Sequence, residues 1–359
     1  MRNSRLVFIL LSVWLAGCAH QRTAVDTGIT PEDLLAATLQ PADVNTLLPE
    51  PQRWWPGFPR LNIRPPIGGP GCEAYAGLAY QKINDPAKNQ INVGLGLYCD
   101  AASAAAGMFA LTNTLEKGAT ACAGPAVGEQ SRYFTRVTSE KLCETALRFR
   151  VGRVVGRVAA QAQDRYEDPE KLARYAQPLV EKTRAVLDGK LHAAPFPKDV
   201  AQRMPSKSVC ARVGPLLGSA LIPSETLALV DLSGQPLEVR DRLQRLGITQ
   251  LGFRRYGVEN LPGHVIEATL FTFPDARAAA AWAENFRKQA GEQGALKPGR
   301  LGAAAAYMRN ADGSFYLKFA RERHVADLLC YAPFAKTEPA AEALVRQFAE
   351  RWYAELPDR

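Results

Sequence analysis

The chain has 359 residues, 47% hydrophobic and 22% charged, with 44 Lys and Arg against 36 Asp and Glu for a formal charge of +8. That length and composition fit two globular domains and exclude a disordered chain. One apolar run, at the N-terminus, approaches spanning length, which excludes a multi-span membrane protein.

In chain order, the first signal is Arg2 and Arg5, then the apolar run Leu6–Trp14, then Leu15-Ala16-Gly17-Cys18. This is the layout of an export signal. Arg2 and Arg5 are not adjacent, so it is no twin-arginine signal. The small residues ahead of the cysteine resemble the lipobox of bacterial lipoproteins. The resemblance implies that residues 1–17 are a removed signal peptide. It also implies that Cys18 receives a diacylglyceryl group and that its new amine is acylated, with palmitate as the expected chain. Several acyl chains on one residue anchor firmly, where one would hold marginally. Ala19 in place of Asp implies, by the same resemblance, a Gram-negative outer membrane with the protein facing the periplasm. Loss of Arg2 and Arg5 takes the charge from +8 to +6. The basic residues are scattered, with no polybasic block, and an exported protein does not meet nucleic acid. Residues 18–29 are polar and read as a tether.

Residues 30–188 read as a first unit. Thr30-Pro31-Glu32-Asp33 opens a short helix, with a cap, a proline at the first helical position and acids in the first turn. Trp54-Trp55-Pro56-Gly57-Phe58-Pro59 follows. Adjacent tryptophans point to opposite sides of extended backbone, so burying both takes two surfaces. Trp54, Trp55 and Phe58 either pack over a sheet edge, the preferred reading, or form an aromatic lip over a cleft for a glycan, a lipid or a partner protein. Next come a strand at 91–98 and an alanine-rich helix at 101–116 capped by Asp100. Gly94 and Gly96 inside that strand mark a bend or close packing. Strands at 130–136, 143–150 and 152–160 lead to an amphipathic helix at 168–187, which Pro178 should kink. Arg148, Arg150, Arg153 and Arg157 alternate with apolar residues. They either line a groove for an anionic ligand or form the solvated face of a half-buried sheet, the plainer reading.

Residues 189–218 read as a linker, with Pro195, Pro197 and Pro205 and few periodic apolar positions. Residues 219–359 then repeat the first unit. Strands at 264–273, 303–309, 315–320 and 323–331 and helices at 276–290 and 338–355 come in the same order. Leu47-Leu48-Pro49 recurs as Leu221-Ile222-Pro223, Asp100 as Asp275, Gly128 and Tyr133 as Gly302 and Tyr307, and Pro169 as Pro339. The offset stays near 174 and drops to 170 at Phe149/Phe319 and Arg153/Arg323. A tight turn at 310–313 explains the drop. Lys318 and Arg323 keep part of the first unit's basic series.

Apart from Cys18, six cysteines remain: Cys72, Cys99, Cys122, Cys143, Cys210 and Cys330. An even number in an oxidising compartment reads as disulfides. Cys210 and Cys330 stand alone in the C-terminal half and are expected to pair. The other four allow three pairings. Cys72–Cys99 with Cys122–Cys143 is preferred, because Cys72 and Cys99 flank the turn at Asn84-Asp85-Pro86.

Within residues 34–187 the landmarks run Leu34-Leu35, Pro41-Ala42-Asp43-Val44, Cys72, a strand and alanine-rich helix ending in Cys122-Ala123-Gly124, then Cys143 with Ala146-Leu147 and a valine-rich strand at 151–158. This order resembles the extracellular sensor domain of mycobacterial PknH-type kinases. The resemblance implies an α+β fold with a cleft and no known catalysis. The second unit lacks counterparts of Cys122 and Cys143 and reads as a diverged copy.

No metal-ligand spacing joins His20, His192, His264 and His324, so neither metal nor other cofactor is expected; His264 and His324 are expected at strand edges or the surface. No nucleophile elbow, phosphate loop or dinucleotide motif stands in context. The expected fold is α+β, a tandem repeat of two antiparallel-sheet-plus-helix units with helices on one side of each sheet. The expected function is an envelope-anchored, non-catalytic binding or sensor-like module. Its partners would be the membrane, through Cys18, and an envelope protein or an anionic or lipidic ligand. A structural accessory lipoprotein of an envelope complex is the second reading, and a hydrolase of an envelope polymer the third.

Overall fold

The computed structural model describes residues 28–63, 71–115, 118–206, 209, 213–229, 235–259, 261, 263–294, 301–302, 305–309, 313–332 and 340–356. Cys18 and the whole export signal lie outside these residues. The first unit opens at a capping box: Asp33 N–H donates to the Thr30 hydroxyl, and Thr30 N–H donates to the Asp33 carboxylate. From there run α1 (Pro31–Ala36), α2 (Pro41–Leu47), a 3-10 turn (Pro51–Arg53), β1 (Trp54–Pro56), β2 (Arg60–Ile63), β3 (Cys72–Lys82), β4 (Gln90–Tyr98), α3 (Ala101–Leu115), β5 (Thr120–Cys122), β6 (Gln130–Val137), β7 (Cys143–Val151), β8 (Val154–Ala162) and α4 (Pro169–Leu187). A short α5 (Lys198–Ala201) follows. The second unit comprises β9 (Leu216–Pro223), α6 (Ser224–Ala228), α7 (Pro236–Arg245), β10 (Gln250–Gly257), β11 (Val265–Thr272), α8 (Ala276–Gly294), β12 (Ala306–Arg309), β13 (Phe315–Arg321), β14 (His324–Tyr331) and α9 (Ala340–Glu355).

Both sheets are antiparallel. The first has the order β1-β3-β4-β8-β7-β6-β5, with β2 also on β3, and the second β12-β13-β14-β11-β10-β9. Read from β3, the first sheet is β3-β4-β8-β7-β6; read from β10, the second is β10-β11-β14-β13-β12. The two units share one topology, and their registers agree as well. Leu97 faces Val154 in one and Thr272 faces His324 in the other. Asp100 accepts from Ser103 N–H and Asp275 from Ala278 N–H, so both alanine-rich helices carry the same cap. Tyr98 N–H donates to Arg153 O, and Phe273 N–H to Arg323 O. Gly128 and Gly302 both hold positive φ, 65° and 76°.

One landmark fails. Leu47-Leu48-Pro49 ends α2, whereas Leu221-Ile222-Pro223 ends β9. The helices of the first unit precede its edge strands, while α6 and α7 lie between β9 and β10, so the likeness there is one of local composition. The expected linker is also more ordered than its composition suggests. β9 starts at Leu216, Ala193 N–H donates to Asp33, and Trp352 donates its indole N–H to Arg203 O. Pro178 sits inside an α4 that remains one helix.

Helices cover both faces of each sheet, not one. Alternation along β4 sends Ile91, Val93, Leu95 and Leu97 into a core with Leu172, Tyr175 and Leu179 of α4. The alternate residue Tyr98 packs with Val155 under Ala104 and Met108 of α3. In the second unit Ile266, Ala268 and Leu270 meet Val345, Phe348 and Trp352 of α9, while Phe271 and Phe273 meet Ala279 and Trp282 of α8. With an apolar side on both faces, each sheet needs two helical layers.

The expected disulfides among the described cysteines do not form: Cys72, Cys99, Cys122, Cys143 and Cys330 carry free thiols. Cys122 faces Tyr133 on one side of β6, and Cys143 faces Val137 on the other. Four residues along a strand and two strand spacings separate their Cα atoms by roughly 16 Å, where a disulfide needs about 4.4–6.8 Å. Cys72 lies opposite Tyr98, and Cys99 is one residue further, where extended chain turns to the other face. Its thiol meets Ser103 Oγ at 3.2 Å instead. The expected partner of Cys330, Cys210, lies outside the described residues.

The units meet edge to edge. Leu61 of β2 packs against Gly218 of β9, where a Cβ would come within 2.6 Å of the leucine. Ser219 N–H donates to Glu32 at 2.7 Å. A third core bridges the seam, joining Trp55 and Ile83 to Ile222, Leu251 and Phe253.

Candidate functional site

The shared registers allow the two sheets to be compared row by row on the face under the alanine-rich helix. In the first unit one row across the strands reads Gly77, Gly94, Arg157, Arg148. Its counterpart reads Phe253, Thr269, Asp327, Lys318. The neighbouring row has Gly96 where the copy has Phe271, each opposite a valine. The row beyond has Ala79, Asn92 and Ala159 where the copy has Arg255, Glu267 and Leu329.

In the second unit this face is closed. Phe271, Phe273 and Trp282 pack as one aromatic group, with ring centroids 5.5–6.1 Å apart. Beneath them Lys318 Nζ lies 3.3 Å from Asp327, both side chains buried, under the rings of Phe271, Trp282 and Phe286. Each buried charge has its partner.

In the first unit α3 packs on Tyr98 and Val155 at one end of the same face, and a groove remains beyond them. A groove of about 470 Å³ lies over Gly77, Ala79, Asn92 and Gly94, and its described lining includes no residue of α3. Its volume falls in the usual range of small-molecule sites, about 300–1,000 Å³. Tyr75 lies across the two glycines: a Cβ at Gly94 would meet its phenol oxygen at 2.5 Å and one at Gly77 at 2.8 Å. Burial raises the Tyr75 phenol, and Arg60, Arg157 and Arg255 pull against that rise. Arg60, Arg136 and Arg157 stand round the groove. Glu144 sits between two of them, accepting from Arg136 Nε at 2.6 Å, from Arg157 Nη2 at 2.8 Å and from Gln161. Burial alone would raise the Glu144 carboxyl; Arg157, with Arg136 and Gln161, outweighs it and holds the group below its ordinary range. The groove's lining sets Arg60, Arg136 and Arg157 against Glu144 and the exposed Glu140, which leaves one positive charge in excess. Gln90, Gln161, Thr138 and Ser139 supply further polar groups. The arrangement suits an anionic ligand held by guanidinium forks and amides.

The sequence-predicted site residues scatter. Arg157 lines the groove, but Arg148 is buried beside Tyr98 and Arg150 turns outward to Glu129 at 2.7 Å. Trp55 is 3% exposed, in the seam core under Arg240, and Phe58 stacks on Phe253 at 5.6 Å, so both join the units together. Trp54 is half-buried at a separate cleft. Arg60, Tyr75, Arg136 and Glu144 were missed. The pairing of Arg136 with Glu144 follows from the β6–β7 register, which a hairpin alignment could have supplied.

His264 and His324 are buried, contrary to expectation. His324 Nδ1 meets Thr272 Oγ1, its ladder partner, at 3.0 Å, and burial holds the ring neutral by lowering its pKa to about 4. Among the described residues no three His, Cys, Asp or Glu side chains converge as a metal site, and no helix is long and apolar enough to cross a membrane.

No protein-family model and no curated protein matches the chain. Among solved structures, the extracellular domain of PknH from Mycobacterium tuberculosis is similar, with 16% identity and a TM-score of 0.35, covering 44% of this chain and 97% of that one. This is the family that the landmarks in residues 34–187 resemble.

Proposed function

We propose that the chain is a non-catalytic binding module of the bacterial envelope, tethered through lipidated Cys18 to the outer membrane, whose first unit takes an anionic ligand in the groove over Gly77 and Gly94. One observation carries this: two units of the same topology and register differ on one face, which aromatic rings close in the second unit and which keeps a groove rimmed by arginines in the first. In the second unit Phe253, Thr269 and Phe271 occupy the face; in the first, glycines stand at those three positions and arginines stand round the space. Tyr75 fills the space directly over Gly77 and Gly94, and the groove lies beside it. The accessory-protein reading needs Trp54 and Trp55 together on an exposed apolar patch, and Trp55 lies in the seam. Thiol-dependent hydrolysis draws no support from Cys72 or Cys330, whose thiols burial pushes up to about 12.

The test is calorimetric titration of the full chain with citrate, with glucose as a neutral control. Saturable heat with citrate alone, weakened by Arg60→Gln, is expected. Equal behaviour of the two probes, or no effect of Arg60→Gln, would contradict the anionic reading.

A further inference from the structure

A second cleft lies at the other side of the same strand ends, on the face that carries α4. It has a volume of about 300 Å³ and is more enclosed than the groove. We infer that this cleft is a separate binding site for an acidic sugar, with Trp54 as its stacking platform and Arg174 and Arg165 as its anion clamp.

Trp54 lines the cleft, and its indole N–H is already spent on Pro49 O at 3.0 Å, which holds the ring in place. A fixed aromatic face offers apolar area at little entropic cost and suits the C–H face of a sugar ring. The floor is apolar, from Ile91, Ala160 and Tyr175.

The charge around that face is unbalanced. Lys82, Arg165, Lys171 and Arg174 line the cleft against one carboxylate, Glu167. Glu50, outside the cleft, holds Lys82 at 2.5 Å, and Glu167 holds Lys171 at 3.0 Å. Arg165 reaches Asp164 only at 3.8 Å, and Arg174 has no acid within ion-pair distance among the described residues. Two guanidiniums are thus available to a carboxylate or phosphate, which they grip as planar forks. Asn89, Gln90 and Gln161 bring amides that can bond ring hydroxyls. A flat apolar platform, an anion clamp and amides in one enclosed space select a sugar that carries an acid group. A bare inorganic anion would leave the indole unused, and a neutral sugar would leave the arginines unused. Trp54 has no counterpart in the groove; the two cavities share only Gln90 and Gln161, at the ends of β4 and β8.

The site is tested by following the indole N–H resonances of the full chain, with the Trp54 signal identified by its loss in Trp54→Phe. Four probes are titrated: glucuronic acid, glucose 6-phosphate, glucose and inorganic phosphate. The expected result is a saturable shift of the Trp54 resonance with the two acidic sugars, weakened at least about tenfold by Arg174→Gln. Arg174 is exposed and Trp54 half-buried, so cooperative urea unfolding of each variant is checked first. The shift is expected to survive Arg60→Gln, at a residue that lines the groove and not the cleft, so failure of one site is distinguishable from failure of the other. No shift, an equal shift with glucose or with phosphate alone, or no effect of Arg174→Gln would overturn the inference.

Discussion

The two units carry the same strand order, the same ladder registers and the same aspartate caps, yet one face has opposite fates in them. In the second unit aromatic rings close it, and Lys318 and Asp327 neutralise each other beneath. In the first, Arg157 faces Arg148 across the ladder where the copy has Asp327 facing Lys318. Like charges directly opposite one another are unfavourable, and Arg157 instead turns to Glu144. A duplicated fold thus acts as its own control. What both units keep is what the fold requires, and where they differ is where the ligand is proposed to bind.

The closed face should be the more fragile to truncation. Phe253 is fully buried between the units, and Phe253→Ala should cost about 3–5 kcal/mol in denaturant unfolding. Asp327→Ala should cost a similar amount, about 3–5 kcal/mol, because it removes the carboxylate that the buried Lys318 ammonium faces. If either variant lost under about 1 kcal/mol, the second unit's face would not be the packed core described here.

The two buried glutamates should respond to pH in opposite senses. Glu144 is held below its ordinary value of 4.5, so its contribution is present above the unfolded pKa and is lost as pH falls through the folded one. Glu267 is raised, since burial outweighs Arg255, Tyr331 and Arg60; its contribution is present below the unfolded pKa and is lost as pH rises through the folded one. Glu144→Gln should therefore destabilise by about 1–3 kcal/mol near pH 7 and little near pH 3. Glu267→Gln should leave stability near pH 7 unchanged or higher. Urea midpoints at the two pH values read both, and the same sign of effect for both at neutral pH would remove this contrast.

The thiols give the smallest effect. Cys72 and Cys330 are buried, whereas Cys99 is half-exposed beside Ser103. A thiol reagent should modify Cys99 in the folded chain and reach Cys72 and Cys330 only on unfolding. Protection of Cys99 together with Cys72, released by reductant, would restore the disulfide that the sequence suggested.

Most of the architecture was legible in the sequence. Alternation at 91–98, 143–150 and 323–331 and the alanine-rich helices behind Asp100 and Asp275 located part of each unit, and the steady offset between landmarks exposed the duplication; the strands Cys72–Lys82, Leu216–Pro223 and Gln250–Gly257 and the helix Pro236–Arg245 went unread. The groove was not legible for a specific reason. It lies over Gly77 and Gly94, whose lack of side chains makes room for Tyr75, and a glycine in a strand reads equally as a bend. Its arginines come from β2, β6 and β8, brought together only by the ladder registers. The two-sided helical cover was missed because the faces of β4, Ile91 to Leu97 and Gly94 to Tyr98, are both weakly polar. The disulfide expectation rested on cysteine parity, which carries no information on the strand separating Cys122 from Cys143.

The central claim is that the first unit's open face holds a ligand, and it is tested most directly by rebuilding the second unit's row there. The full chain and its Gly77→Phe/Gly94→Thr variant would be extracted from envelopes in detergent and compared by native mass spectrometry. The account predicts a bound small molecule on the parent chain, and its loss from a variant that still unfolds cooperatively. The same bound mass on both chains, or none on the parent, would contradict it.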